Sequence, residues 1–287
     1  MRILSCLLVF LFLTTNTVRD LRDYFVVWPQ QDMVRFLYRA DYREAAHYLD
    51  AHAEITDVAI SSTLMGPWDR MALDVDARRD DVAARLFDPS RVLVWVAGGS
   101  PAPVLLTSFP EPLSLIDDSF LEGQSDPPEA ISSHLALYAL SPISNLQSLT
   151  SNFQFANGLE LIEVRWMDDD LLLTTWRVAA PLDLPPISIV ANPPPPGVYS
   201  GPRLAVFTHL LAADGTFVSG DDGLWVDPLT LMPGDCFVQV HRFTLPHDAP
   251  AGSYTLELGL YDPKTGERWA VLDSDGRPGS DHISFAD

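Results

Sequence analysis

The sequence predicts an α+β protein, a small N-terminal α/β domain followed by an antiparallel β-sandwich domain. Three observations point there. Tyr42, Ala45, Ala46, Leu49 and Ala53 recur at helical spacing ahead of short apolar strand candidates. From Leu159 onward, apolar stretches of strand length alternate with turn residues, the pattern of an antiparallel set. Tyr254, Leu256, Leu258 and Leu260 then share one side of a period-two repeat that ends in Asp262-Pro263-Lys264-Thr265-Gly266. Asp suits the first turn position, Pro fixes φ at the second, and Gly takes the left-handed residue that re-aims the chain.

The first 29 residues form a segment of their own. Arg2 precedes an uncharged run from Ile3 to Val18, most apolar from Ile3 to Leu13. As a helix those 16 residues reach about 24 Å, short of the roughly 30 Å hydrocarbon core of a bilayer. No small-x-small cleavage site follows. A secretory signal and the tail of a transmembrane helix are both open readings, and either puts the rest of the chain outside the cytoplasm. Tyr24, Phe25 and Trp28 are placed to form an interfacial aromatic belt, or to pack against the first domain.

Residues 30–122 read as the α/β domain. Asp41-Tyr42-Arg43-Glu44 has the form of a capping box, opening a helix that runs to about His52. Strands are expected at Asp57–Ser62, at the Val-Leu-Val-Trp-Val run within Arg91–Val96, and at Val104–Thr107. Gly98-Gly99 reads as the turn between the last two, since a phosphate loop would need more glycines at fixed spacing or a lysine. Glu122–Glu129, with Gly123, Pro127 and Pro128, is the expected boundary.

Residues 130–287 read as the sandwich. Leu159–Trp166 changes phase near Leu161-Ile162, which predicts a bulge, and Asp168-Asp169-Asp170 turns the chain into Leu171–Val178. Further strands are expected at Leu204–Leu211, Phe237–Leu245, Ser253–Tyr261 and Glu267–Leu272, the last two paired as a hairpin. Ala180–Pro202, with the run Pro193–Pro196, reads as an extended loop inserted between strands.

Composition narrows the function. A formal charge of −21 and a pI near 4.4 exclude nucleic acid as a partner, because phosphate binding needs a basic surface. They also disfavour docking on an anionic membrane face. Two cysteines, Cys6 and Cys236, make neither a disulfide framework nor a thiolate metal site. The sequence contains no G-x-S-x-G, H-E-x-x-H, Walker A or paired C-x-x-C pattern, and no catalytic residue is assigned. The neighbours Asp117-Asp118 and Asp221-Asp222 read as turn residues, since adjacent strand residues point to opposite faces.

Binding residues are easier to nominate. Asp214, Asp221 and Asp222, with Asp273 and Asp275, lie in predicted sandwich loops and offer oxygen ligands for calcium, without the spacing of a known calcium loop. No other cofactor is expected. His209 and His241 fall on strands that the topology would make neighbours. Of Trp166, Trp176, Trp225 and Trp269, three lie in core phase. Trp225 lies in a loop, where its ring would stack on a sugar, so Trp225, His209 and His241 form the carbohydrate-binding set.

One family resemblance accompanies these readings. Phe207-Thr208-His209-Leu210-Leu211, Asp214-Gly215, Asp221-Asp222-Gly223, Met232-Pro233-Gly234-Asp235, Leu245-Pro246, Ala249-Pro250-Ala251-Gly252 and the Asp262–Gly266 turn follow one another in order. That order resembles the soluble C-terminal region of some bacterial family 39-like membrane glycosyltransferases, polytopic enzymes that use lipid-phosphate sugar donors. The resemblance covers roughly the last half of the chain. It implies an extracytoplasmic β-domain following a final membrane helix, with the catalytic acids in a polytopic part absent here. The inserted proline-rich loop departs from the pattern. The expected function is a membrane-tethered extracytoplasmic accessory region of a glycosyltransferase system. Its partners would be the membrane, through the N-terminal apolar stub, and a polytopic glycosyltransferase. The alternative is a secreted carbohydrate-binding β-sandwich protein with glycans as partners.

Overall fold

The computed structural model describes residues 2–62, 67–97, 102–107, 128–141, 152–168, 170–186, 202–246 and 254–286. Gly98-Gly99, Asp117-Asp118, most of the Glu122–Glu129 boundary and Pro193–Pro196 lie outside them. Helix α1 (Arg2–Arg22) continues through a π-helical turn, Asp23–Val27, and a 3-10 turn, Trp28–Gln30, into α2 (Asp32–Leu37). The apolar run therefore belongs to one helix that extends past Val18 into the charged Arg19–Arg22 turn. Among the described residues no helix is long and apolar enough to cross a membrane.

Helix α3 (Ala40–Ala51) starts one residue before the expected capping box, and its N-cap is Arg39, in the left-handed conformation with φ 52°. The carboxylates of Asp41 and Glu44 do not cap the helix. Both accept from the buried Arg35 guanidinium, Glu44 at 2.6 Å, which clamps α2 onto α3. Glu44 also accepts from Ser132 Oγ at 2.6 Å. An inward-turned arginine outcompetes the local backbone for these acids because a buried guanidinium must find anions.

Strand β1 (Asp57–Ser61), helix α4 (Pro67–Asp76) and β2 (Ala83–Phe87) form a parallel β-α-β unit. Strand β3 (Val92–Trp95) follows, and then β4 (Ala102–Thr107), which lies parallel to β1 on its other side. The hairpin β5 (Glu129–Ala130) and β6 (Leu135–Leu140) adds to β4, giving the order β2-β1-β4-β6-β5. Val58, Ile60, Leu86, Leu105 and Leu135 on one face pack under Tyr42, Ala45, Ala46 and Leu49 of α3 and Leu73 of α4. Ala59, Val104 and Leu106 on the opposite face join the sandwich core. With both faces covered, these strands read as continuous apolar runs, as parallel strands do.

The sandwich's larger sheet contains β7 (Phe153–Gln154), β8 (Leu159–Asp168), β9 (Leu171–Val178) and β12 (Cys236–Arg242), in the order β3-β12-β9-β8-β7. Its partner sheet contains β10 (Ala205–Leu211), β11 (Phe217–Gly220), β13 (Thr255–Tyr261) and β14 (Ile283–Ala286), in the order β11-β10-β13-β14. Leu93, Leu161, Trp176 and Phe237 of the first meet Val206, Leu258, Leu260 and Ile283 of the second in one core. The predicted bulge is present, as a register shift between Leu161 and Glu163 against β9.

Sheet membership departs from the expected boundary in both directions. β3, read with the first domain, pairs antiparallel with β12 in the sandwich. The β5-β6 hairpin, read with the second, completes the first sheet. Val92–Trp95 is buried throughout, and such a strand has no alternation to say which sheet takes it.

The C-terminal turn forms, but the hairpin it closes stops early, at an antiparallel bridge between Tyr261 and Arg268. Asp262 accepts from the Lys264 amide at 2.8 Å and from Thr265 Oγ1 at 3.1 Å, and Gly266 sits at φ 76°. Beyond Trp269, whose N–H donates to Leu260 O, the chain leaves β13. Val271 bridges Phe155, and Leu272 N–H donates to Gln154 O, so the segment borders β7 in the opposite sheet. The place beside β13 belongs to β14. Gly266→Val should destabilise the fold by roughly 1–3 kcal/mol through backbone strain alone, because a Cβ there meets nothing within 4 Å. Lys264→Ala, exposed on the same turn, should change stability by less than about 0.5 kcal/mol. Urea midpoints of the two variants in mild detergent check the difference.

Candidate functional site

Most of the nominated residues meet where Asp221–Trp225 crosses from β11 toward β12. The segment is held by a buried polar chain. His241 Nδ1 donates to the Asp221 carbonyl at 2.9 Å, which leaves Nε2 to accept from Gln239 Nε2 at 3.0 Å. Gln239 also donates to Gly223 O at 3.0 Å and accepts from the Trp225 amide at 3.3 Å. Thr208 Oγ1 donates to Asp221 O at 2.9 Å, and Trp176 Nε1 donates to Thr174 Oγ1, beside the imidazole. His241 is fully buried. Burial pushes its imidazole down to about 4, against a smaller upward pull from the Asp221 carbonyl. A neutral ring with both nitrogens engaged pins a loop; it has no free edge for a sugar.

Trp225 is likewise built in. The Arg91 guanidinium lies 4.3 Å over its ring, His241 meets it edge-on at 5.4 Å, and a Cβ on Gly223 would fall 2.8 Å from its indole. One ring face is therefore covered by a cation rather than presented for stacking. Arg91 also donates to Asp221 Oδ2 at 2.7 Å, an oxygen that the Arg242 amide shares at 2.6 Å. Arg91 is the residue that sequence reading missed, since its partner lies 130 residues away.

His209 and Asp222 remain at the surface. His209 Nε2 lies 3.2 Å from Asp222 Oδ1, which also takes the Thr208 amide at 3.3 Å. The imidazole stands edge to face with Phe217 at 5.2 Å, and Phe217 is 57% exposed. Asp214 is not part of this group. It sits at the β10-β11 turn, where its carboxylate accepts from the Thr216 amide at 3.0 Å and is held below the usual carboxylate range by that bond. Asp273 and Asp275 are taken up by their own turn, Asp273 by the Asp275 and Arg277 amides and Asp275 by Arg277. Among the described residues no group of three or more His, Cys, Asp or Glu is arranged to hold a metal ion. Trp176 is core, while Trp166 is 41% exposed beside Phe243.

A second cluster lies at the carboxyl ends of the parallel strands. Strand order reverses there, because α4 leads from β1 to β2 on one side while β4 flanks the other. Such a switch point is where open α/β sheets leave a crevice. Thr107 N–H donates to Ser61 Oγ at 2.8 Å, Tyr42 Oη donates to Ser61 O at 3.3 Å, and Ser62 Oγ donates to Asp69. Asp69, fully buried, pairs with Arg39 at 2.8 Å. Asp227 borders the group through its N–H to Leu86 O, and its buried Oδ2 has no hydrogen-bond partner among the described residues. Burial raises the Asp227 carboxyl above its usual range. The only signal in the sequence was Ser61-Ser62 at the end of an expected strand.

No protein-family model and no curated protein matches this chain.

Proposed function

We propose that the chain is a membrane-tethered, extracytoplasmic accessory region of a family 39-like glycosyltransferase system, without catalytic activity of its own. The observation that carries the tether is α1. Leu7 through Leu13 are each 58–69% exposed, so the helix presents apolar side chains on every side. A helix apolar all round needs an apolar surrounding, and water is the wrong solvent for it. No helix among the described residues is long and apolar enough to cross a membrane, and the tether is proposed as insertion of this apolar surface. The order of C-terminal motifs supports the link to the glycosyltransferase system and the outward-facing location. Lack of independent activity fits the way the nominated acids are used: Asp221 holds Arg91 and Asp222 faces His209.

Two measurements on cells test this. The full chain should stay in the membrane fraction through an alkaline carbonate wash, and protease added outside the cytoplasmic membrane should digest it. A chain released by carbonate, or protected from that protease, contradicts the reading. Sugar transfer from a lipid-linked donor by the purified chain contradicts the inactivity.

A second reading, glycan binding, draws on the exposed Phe217 ring beside His209 and Asp222, an aromatic face next to polar groups that suit sugar hydroxyls. Phe217→Ala should abolish any glycan-array signal, while Trp225→Ala should leave it and act on stability. Loss with Trp225→Ala alone would move the site back to the indole.

A further inference from the structure

We infer that α2 is a second lipid contact, which lays the folded body flat against the surface of the bilayer into which α1 inserts; this rests on the tether reading above. Beyond the exposed Asp32 in its first turn, the solvent side of α2 is apolar where a surface helix is ordinarily polar. Met33 is 67% exposed, Leu37 64% and Tyr38, at its C-cap, 67%, while Val34 and Arg35 face inward. This face is held in place, since Arg35 is buried and paired with Asp41 and Glu44 of α3.

The face is continuous with α1 through an aromatic series. Tyr24 meets Phe25 edge-on at 5.0 Å and stacks on Trp28 at 5.5 Å with 12° between planes. Trp28 meets Tyr38 edge-on at 5.6 Å. Tyr and Trp rings, apolar bodies with polar tips, concentrate at the bilayer–water boundary. The series runs from the end of α1 to the end of α2, so a boundary at Tyr24 also passes Tyr38.

Lipid is the occupant that fits. The apolar surface of α1 faces every direction, and a fluid apolar solvent covers all of it where one protein partner covers one side. The net charge of −21 points to zwitterionic rather than anionic headgroups. One consequence concerns the crevice. Arg39, directly after Tyr38, pairs with Asp69, so the carboxyl edge of the parallel strands stands one ion pair from the lipid face.

The test uses the full chain with Cys6→Ser and Cys236→Ser, and one new thiol at a time from Met33→Cys, Leu37→Cys or Lys264→Cys. Each carries a polarity-sensitive fluorophore and is reconstituted with phosphatidylcholine vesicles containing a headgroup-nitroxide lipid. Labels at 33 and 37 should shift to the blue and be quenched by the lipid, and the label at 264 should do neither. A chain that floats with the vesicles while 33 and 37 behave like 264 overturns this inference alone, and assigns the face to a protein partner. A chain that does not float overturns the tether and this inference together.

Discussion

Asp235→Ala is expected to destabilise the protein by about 3–5 kcal/mol, the scale for removing one partner of a buried ion pair. Arg85 on β2 is 1% exposed and Asp235, just before β12, is 0% exposed. Arg85 Nε donates to Asp235 Oδ2 at 2.8 Å, and its terminal nitrogen donates to Oδ1 at 3.2 Å. The carboxylate also accepts from the Ala97 amide at 2.9 Å and the Met232 amide at 2.7 Å. Truncation leaves a buried guanidinium with the partly exposed Asp57, at 2.9 Å, and the Ala83 carbonyl as partners, and strands two amides. The pair also joins the α/β sheet to the sandwich, so both layers should lose stability together. Arg85→Met with Asp235→Leu should cost less than the single change, because no charge then remains buried. Urea unfolding of both variants checks this; a loss below about 1 kcal/mol for Asp235→Ala would show that the pair is dispensable.

The second large effect is a pH dependence set by His241. Its folded pKa of about 4 lies below the ordinary 6.5. As pH falls, the unfolded chain takes up the proton first. The stabilisation is complete above pH 6.5 and is lost between 6.5 and about 4, up to about 3 kcal/mol in all. Asp227 and Asp41, raised by burial, oppose this slope, because protonation relieves them in the folded state. Subtraction separates the two. The stability of His241→Gln should fall less steeply between pH 6.5 and 4 than that of wild type, and parallel curves would exclude the histidine as the cause.

What the sequence could and could not show follows from how local each signal is. Period-two patterning identified β8, β9, β10, β12 and β13, and a phase change located the bulge near Ile162. The Asp262–Gly266 turn was legible because its hydrogen bonds close within five residues. Pairing was not legible. The partner of β3 lies far along the chain in β12, and the short β14 displaces the segment after Gly266 from its expected place. Arg39 gave no hint of a left-handed backbone, because the pairing with Asp69 that accompanies it depends on α4. At the site, His209 and His241 were expected on neighbouring strands, but β10 and β12 lie in opposite sheets, and burial divides the nominated residues. His241 and Trp225 are packed within, while His209 and Asp222 stay at the surface. Arg91 and Arg85, which organise two of the buried clusters, each find partners at least 130 residues away.

The central claim is that α1 places this chain in a membrane, and vesicle flotation tests it most directly. Full-length protein mixed with phosphatidylcholine vesicles should rise with the lipid through a density gradient and stay there in high salt, since apolar insertion is not screened. Leu8→Asp with Phe12→Asp, which puts charges on the helix without touching the folded body, should leave the protein at the bottom. Flotation of that variant equal to wild type, or wild-type protein that remains at the bottom, would contradict the account.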